Sequence, residues 1–251
     1  MRRPCLLLGV TQWVETAEGG RDRGPVGIAR AWVEVLVRPR RFFTNGIAPG
    51  DQAPGLVFAV VVALAHVGVR LALEPNPLPG VEGRPTGLLV FAFLVAALIL
   101  APLALHLAAA LQTLVFIMLS TVGLAGDRGG VSQTVQVIAY ATAPCALSGA
   151  PIPALRAVTA IYGFALLVVG LVVVHDLSPG VAVVAALIPG TFVFGYAFGG
   201  VFALEALLGV NLVGPAPNAT NETVAASLGR ATAVAGSLAA VGPLDFASFG
   251  R

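Results

Sequence analysis

Charged positions lie far apart along most of the chain, and the apolar stretches between them set its elements. From Gln52 to Val69 there are 18 uncharged residues, from Pro85 to Gly126 there are 42, and from Gly129 to Leu155 there are 27. From Ala157 to His175 there are 19, and from Leu177 to Leu204 there are 28. A helix needs about 20 apolar residues, at 1.5 Å each, to cross roughly 30 Å of hydrocarbon. Four of these gaps hold one span each.

The longest gap contains no Gly, Asn or Asp between Leu88 and Val122, and its only punctuation is Pro102. A turn exposed to lipid would leave backbone groups unsatisfied. The pattern therefore predicts one long helix over residues 87–119, kinked at Pro102. The spans fall at about 54–73, 87–119, 134–152, 157–175 and 181–208. Six spans, with a break near His106, is the rival count. The third span is broken by Pro144, Pro151 and Pro153, and Ser132, Gln133, Thr134, Gln136 and Thr142 make its first half polar. It is expected inside the bundle or partly re-entrant rather than against lipid.

Composition agrees with this reading. Charged residues are 10% of the 251, against about 25% in an ordinary soluble domain, and hydrophobic residues are 57%. Such a chain is an integral membrane protein, not a soluble enzyme, a nucleic-acid-binding module or a disordered chain. All 14 basic residues are Arg, and eight of them precede residue 42. Arg38, Arg40 and Arg41 lie just before the first span, so the positive-inside rule places the N-terminus in the cytoplasm. The location expected is the cell membrane. The first residues are too briefly apolar for a secretory signal.

Ahead of the first span, residues 25–38 form an amphipathic helix, bounded by Pro25 at its start and Pro39 at its end. Arg30, Glu34 and Arg38 share one face at i,i+4 spacing. Ile28, Trp32, Val35 and Leu36 lie away from it, and Phe42 and Phe43 follow. This pattern predicts a helix in the cytoplasmic membrane interface, with Arg30, Trp32, Arg38, Arg40, Arg41, Phe42 and Phe43 at the lipid boundary and Arg toward anionic headgroups. The competing arrangement is a helix packed on the end of the bundle itself. The whole chain divides into a flexible tail (1–24), the interfacial helix (25–43), an all-α five-span bundle (44–208) and an extracytoplasmic tail (209–251).

Two further stretches suggest a family. Pro39-Arg-Arg-Phe-Phe43 precedes the first span. Gly129-Gly-Val-Ser-Gln-Thr-Val-Gln-Val-Ile-Ala-Tyr140-Ala-Thr-Ala-Pro144 comes later, followed by Pro151-Ile-Pro153. This order resembles the Yip-one domain family of Ypt/Rab-interacting membrane proteins, especially its archaeal and bacterial branch, over roughly residues 25–208. The resemblance implies a five-span fold with a cytoplasmic N-terminus. Its eukaryotic members associate with prenylated Rab GTPases and act in vesicle traffic and membrane shaping. This chain lacks an acidic-aromatic motif of the eukaryotic type before its first span.

The motif residues themselves read as packing devices. Gly129 and Gly130 permit a tight turn, Ser132 is placed to cap the third helix, and buried Tyr140 needs a hydroxyl partner. Pro144 frees a carbonyl that a neighbour must satisfy. Gly195 and Gly199 form G-x-x-x-G, which permits close helix approach within the bundle.

Candidate chemistry is sparse. His66, His106 and His175 are not paired at ligand spacing, and Cys5 and Cys145 should sit in different phases. No catalytic residue, cofactor or metal site is expected. His106, in mid-span, is expected to be a neutral ring bonded across helices, with a proton or ion path as the alternative. In the tail, Asn218 and Asn221 fit the N-glycosylation pattern. Thr223–Val241 is expected to lie on the surface rather than form a sixth span, since Arg230 at its centre would cost about 2.5–3.5 kcal/mol. The function expected is a non-catalytic membrane-organising or partner-scaffolding role. Its partners would be the lipid bilayer and membrane or cytoplasmic proteins, with no nucleic acid. The alternative is a small transporter component using His106.

Overall fold

The computed structural model describes residues 24–74, 85–124 and 129–210. They form α1 (Pro25–Val37), α2 (Pro39–Asn45), α3 (Ala53–Leu73), α4 (Thr86–Val95), α5 (Ala101–Thr121) and α6 (Val131–Ala141), then α7 (Pro153–Val174), α8 (Pro179–Gly190) and α9 (Gly200–Leu208). A π segment, Ala96–Leu100, joins α4 to α5, and another, Thr191–Ala197, continues α8. A 3-10 segment, Ala143–Gly149, continues α6. No strand occurs among the described residues. Asn218, Asn221 and Thr223–Val241 lie outside them.

Among the described residues, four helices are long and apolar enough to cross a membrane: Ala53–Leu73, Gly87–Thr121, Pro153–Val174 and Pro179–Ala197. The 42-residue gap thus holds one continuous helix, and no break occurs at His106. Pro102 lacks an N–H and its ring crowds the carbonyl four residues back, so the preceding turn widens into the π segment. Pro189 does the same to the carbonyl of Ala185, and the buried amide of Gln112 supplies the missing donor, Nε2 to Ala185 O at 3.1 Å.

Two of the expected spans take different forms. The third is not an apolar helix of crossing length but α6 followed by its 3-10 continuation. Every residue from Thr134 to Ala146 is buried. Gly55 of α3 meets this segment at Gln136, and His66 and Arg70 meet it at Gly149, so it runs alongside α3 from one end to the other. The last expected span, 181–208, is interrupted. Gly199 adopts the left-handed conformation (φ 76°) and separates α9 from the π segment.

Candidate functional site

The family-like stretch Gly129–Pro153 lies at the centre of the bundle. Gly130, not Ser132, caps α6, and its N–H is met by Gln133 Oε1 at 2.8 Å. Ser132 Oγ instead accepts the N–H of Gly50 at 2.9 Å. A Cβ on Gly129 would stand 2.7 Å from Gln133 Oε1 and 3.2 Å from Val174 O, so this glycine permits the close passage of α7's end. One turn on, Gln136 embraces Ala48 from both sides: Nε2 donates to Ala48 O at 2.7 Å, and Oε1 accepts Ala48 N–H at 3.1 Å. A buried amide used this way replaces a whole backbone pair, which holds the α2–α3 connection on the bundle.

Above Gln136 is an aromatic cluster. Tyr140 is fully buried, with Phe42 at 4.8 Å and Phe58 at 5.0 Å between ring centroids. Trp32 meets Phe58 edge-on at 5.6 Å, and its Nε1 donates to Ala143 O at 3.0 Å, the carbonyl beside Pro144. Phe43 packs against Gly170, where an added Cβ would lie 2.5 Å from Val137 Cγ1 and 3.2 Å from Phe43 Cζ. The Tyr162 hydroxyl donates to Leu36 O. Ala31 and Val35 are fully buried in the same core.

The N-terminal residues therefore divide. Phe42 and Phe43, each 2% exposed, and the half-buried Trp32 pack into protein, which corrects the expectation that these rings sit at the lipid boundary. Their partners come from α3, α6 and α7, far away in sequence, so the amphipathic pattern alone could not reveal them. Arg30, Arg38 and Arg40 remain exposed, and Arg41 is half-buried.

At the opposite end of the segment, Arg156 closes the 3-10 turn. Its Nε donates to Ser148 O at 3.0 Å and Ala150 O at 2.8 Å. Glu74 lies 2.7 Å from Arg70 Nε and 3.6 Å from Arg156. Pro151 is exposed in the connection, and Pro153 starts α7 as an N-terminal proline should. At Gly149 a Cβ would fall 2.0 Å from His66 O and 2.9 Å from Arg70 N, the tightest backbone approach among the described glycines.

A model of the Yip1 domain matches residues 33–201. The chain belongs to the Yip1 domain family. No curated protein and no solved structure gives a significant match. The match starts at Val33, inside α1, and ends at Val201, just past the Gly199 turn, so the Yip1 domain takes in the end of α1 and all of α2 as well as the spans.

The G-x-x-x-G pair of the Yip1 domain does not form a contact stripe, because Gly199 is a left-handed turn. The close approaches are at Gly163, where a Cβ would meet Phe194 at 2.5 Å, and Gly200, where it would meet Ala160 Cβ at 2.6 Å. The expected interhelical bond of His106 is also corrected: the ring is exposed, and Nδ1 bonds Pro102 O of its own helix at 2.8 Å. His175 is buried at the end of α7, 3.3 Å from Thr134 Oγ1 and 4.6 Å from the Phe116 ring. Among the described residues no three His, Cys, Asp or Glu side chains converge as metal ligands would. Gln136, Gly149 and Arg156 were not expected as key positions. For Gln136 and Gly149 the only sequence signal was a polar residue or a glycine inside an apolar gap, and for Arg156 it was a lone charge between two such gaps.

Proposed function

We propose that the chain is a non-catalytic, multi-pass membrane protein that organises the bilayer or scaffolds a protein partner through its N-terminal helix pair. The observation that carries this reading is the docking of α1 and α2. Trp32, Phe42 and Phe43 anchor the pair inward, while Arg30, Arg38 and Arg40 stay exposed. A basic surface held in place beside apolar spans suits anionic headgroups or an acidic partner face. Yip1 membership, in a family of membrane proteins, supports this role over an enzymatic one.

In this reading Val131–Gly149 is a further traverse, third in chain order, which brings the count to five. Its α and 3-10 residues together extend roughly 30 Å, about the thickness of the hydrocarbon. With Arg38, Arg40 and Arg41 holding the N-terminus in the cytoplasm of a cell-membrane protein, five traverses leave residues 209–251 outside. The transporter alternative rests on His106, whose exposed ring bonded to its own helix supports no internal path.

The test is photo-crosslinking and recovery from native membranes. Discrete protein or anionic-lipid adducts are expected, and they should diminish when Arg30, Arg38 and Arg40 are changed to Gln. Substrate-dependent flux in proteoliposomes that is lost on His106→Ala would overturn the scaffold reading. Orientation is checked with a single cysteine at Asn218, in a Cys5→Ser, Cys145→Ala background. Labelling by an impermeant maleimide on intact cells is expected.

A further inference from the structure

Both π segments border one cavity of about 350 Å³. Its walls are small and apolar: Ala63 and Val67 of α3, Ala97 and Leu100 of the first π segment, Val193 and Ala197 of the second. Ligand pockets run from about 300 to 1,000 Å³. Leu100 is 55% exposed, so the cavity opens on the flank of a helix long enough to span the bilayer. Widened π turns recur at functional sites.

Two side chains give the lining its polarity, His66 and Thr142, and the donor protons of both are committed elsewhere. Thr142 Oγ1 donates to Ala139 O at 2.7 Å. Ser148 Oγ donates to Cys145 O at 2.6 Å, so toward His66 it can only accept, and the 2.9 Å contact requires a proton on His66 Nδ1. In a neutral imidazole this leaves Nε2 as a lone pair. The cavity therefore offers acceptors and no side-chain donor. An occupant bearing only carbonyl or phosphate oxygens finds no proton there, and a charged headgroup finds no counter-ion among the lining residues.

We propose that this cavity binds an uncharged lipid that carries a hydroxyl, the hydroxyl donating to His66 Nε2 and the chain lying between the two π segments. This goes beyond the scaffold reading and does not depend on it.

The test uses the full-length chain in phosphatidylcholine vesicles with two matched probes: a diazirine-bearing long-chain alcohol and its methyl ether, which lacks only the donor. After irradiation, peptides covering residues 59–67, 96–105 and 192–198 are expected to carry about fivefold more label from the alcohol, the effect of one net hydrogen bond. Ala104→Phe, which fills the cavity, should remove that excess, and His66→Phe should make the two probes equal. Equal labelling by both probes in the unaltered chain overturns the proposal. So does label spread evenly over the exposed leucines of α5. The probe pair decides the matter even if a variant fails to fold.

Discussion

The helix Gly87–Thr121 contains an 18-residue stretch of mean hydropathy 2.9 and turns Leu98, Leu103, Leu107, Leu114 and Met118 outward. The stretch Val131–Gly149 carries Gln136, Thr134 and Thr142, and it is the most enclosed part of the described chain. In water the burial would run the other way. In a bilayer the lipid is as apolar as leucine, so large apolar side chains gain nothing by turning inward. Polar groups gain the only partners available. What sets Val131–Gly149 apart is close backbone approach and side-chain bonds to carbonyls.

The largest expected effects come from breaking the close approaches. A methyl group at Gly149 would collide with the backbone of α3 at His66 and Arg70, which no side-chain rotation relieves. Gly149→Ala should destabilise the protein by about 3 kcal/mol or abolish assembly, toward the upper end of overpacking costs. A larger change of bulk on the other side of the comparison, Leu103→Ala, removes side chain from a position 63% exposed and should change little. Thermal unfolding in detergent, read by size-exclusion recovery after heating, checks both. Equal effects would refute the inside–outside contrast.

Next come the two glutamines. Gln136→Leu deletes two bonds to Ala48 and leaves a buried N–H and C=O without partners, at a cost of about 2–4 kcal/mol. Gln112→Leu deletes one bond, to Ala185 O, and also removes Oε1, a buried oxygen with no partner of its own. These effects offset each other, and the expected cost is about 1 kcal/mol or less. If Gln112→Leu proves the more damaging in the same unfolding assay, the account of the Pro189 carbonyl is wrong in weight. Of similar size, Trp32→Phe keeps the ring contact with Phe58 but loses the bond to Ala143 O. About 1 kcal/mol of docking should be lost, seen as faster proteolysis within residues 25–45 while the spans stay intact.

How far the sequence alone carried the fold follows the same division. The long helix was legible because only Pro102 punctuates it, and the burial of the third segment was legible from its polar residues. The reading failed where one pattern serves two geometries. Gly199 in G-x-x-x-G looks the same whether it packs a helix or turns the chain, and only its φ decides. Trp32, Phe42 and Phe43 look the same on a membrane surface as in a pocket, until Tyr140 and Phe58 are known to lie opposite. The cavity was invisible, since alanines at scattered positions carry no period. His66 drew no attention because its role depends on Ser148, 82 residues away.

The smallest expected effect is at His106, and it bears on function more than its size suggests. The ring lies on the outward side of α5 and bonds a carbonyl of its own helix, so it contributes nothing to packing between helices. Glutamine keeps a donor at similar reach, and a surface substitution of this kind is worth about 0.5 kcal/mol at most. His106→Gln should therefore leave membrane level, unfolding temperature and partner recovery unchanged. Conductance or flux measured across proteoliposomes between pH 5.5 and 8 should likewise be the same with and without the ring. A pH-dependent flux abolished by this single change would place an ion path on the lipid-facing side of the longest helix. That outcome would shift the reading from scaffold to transport.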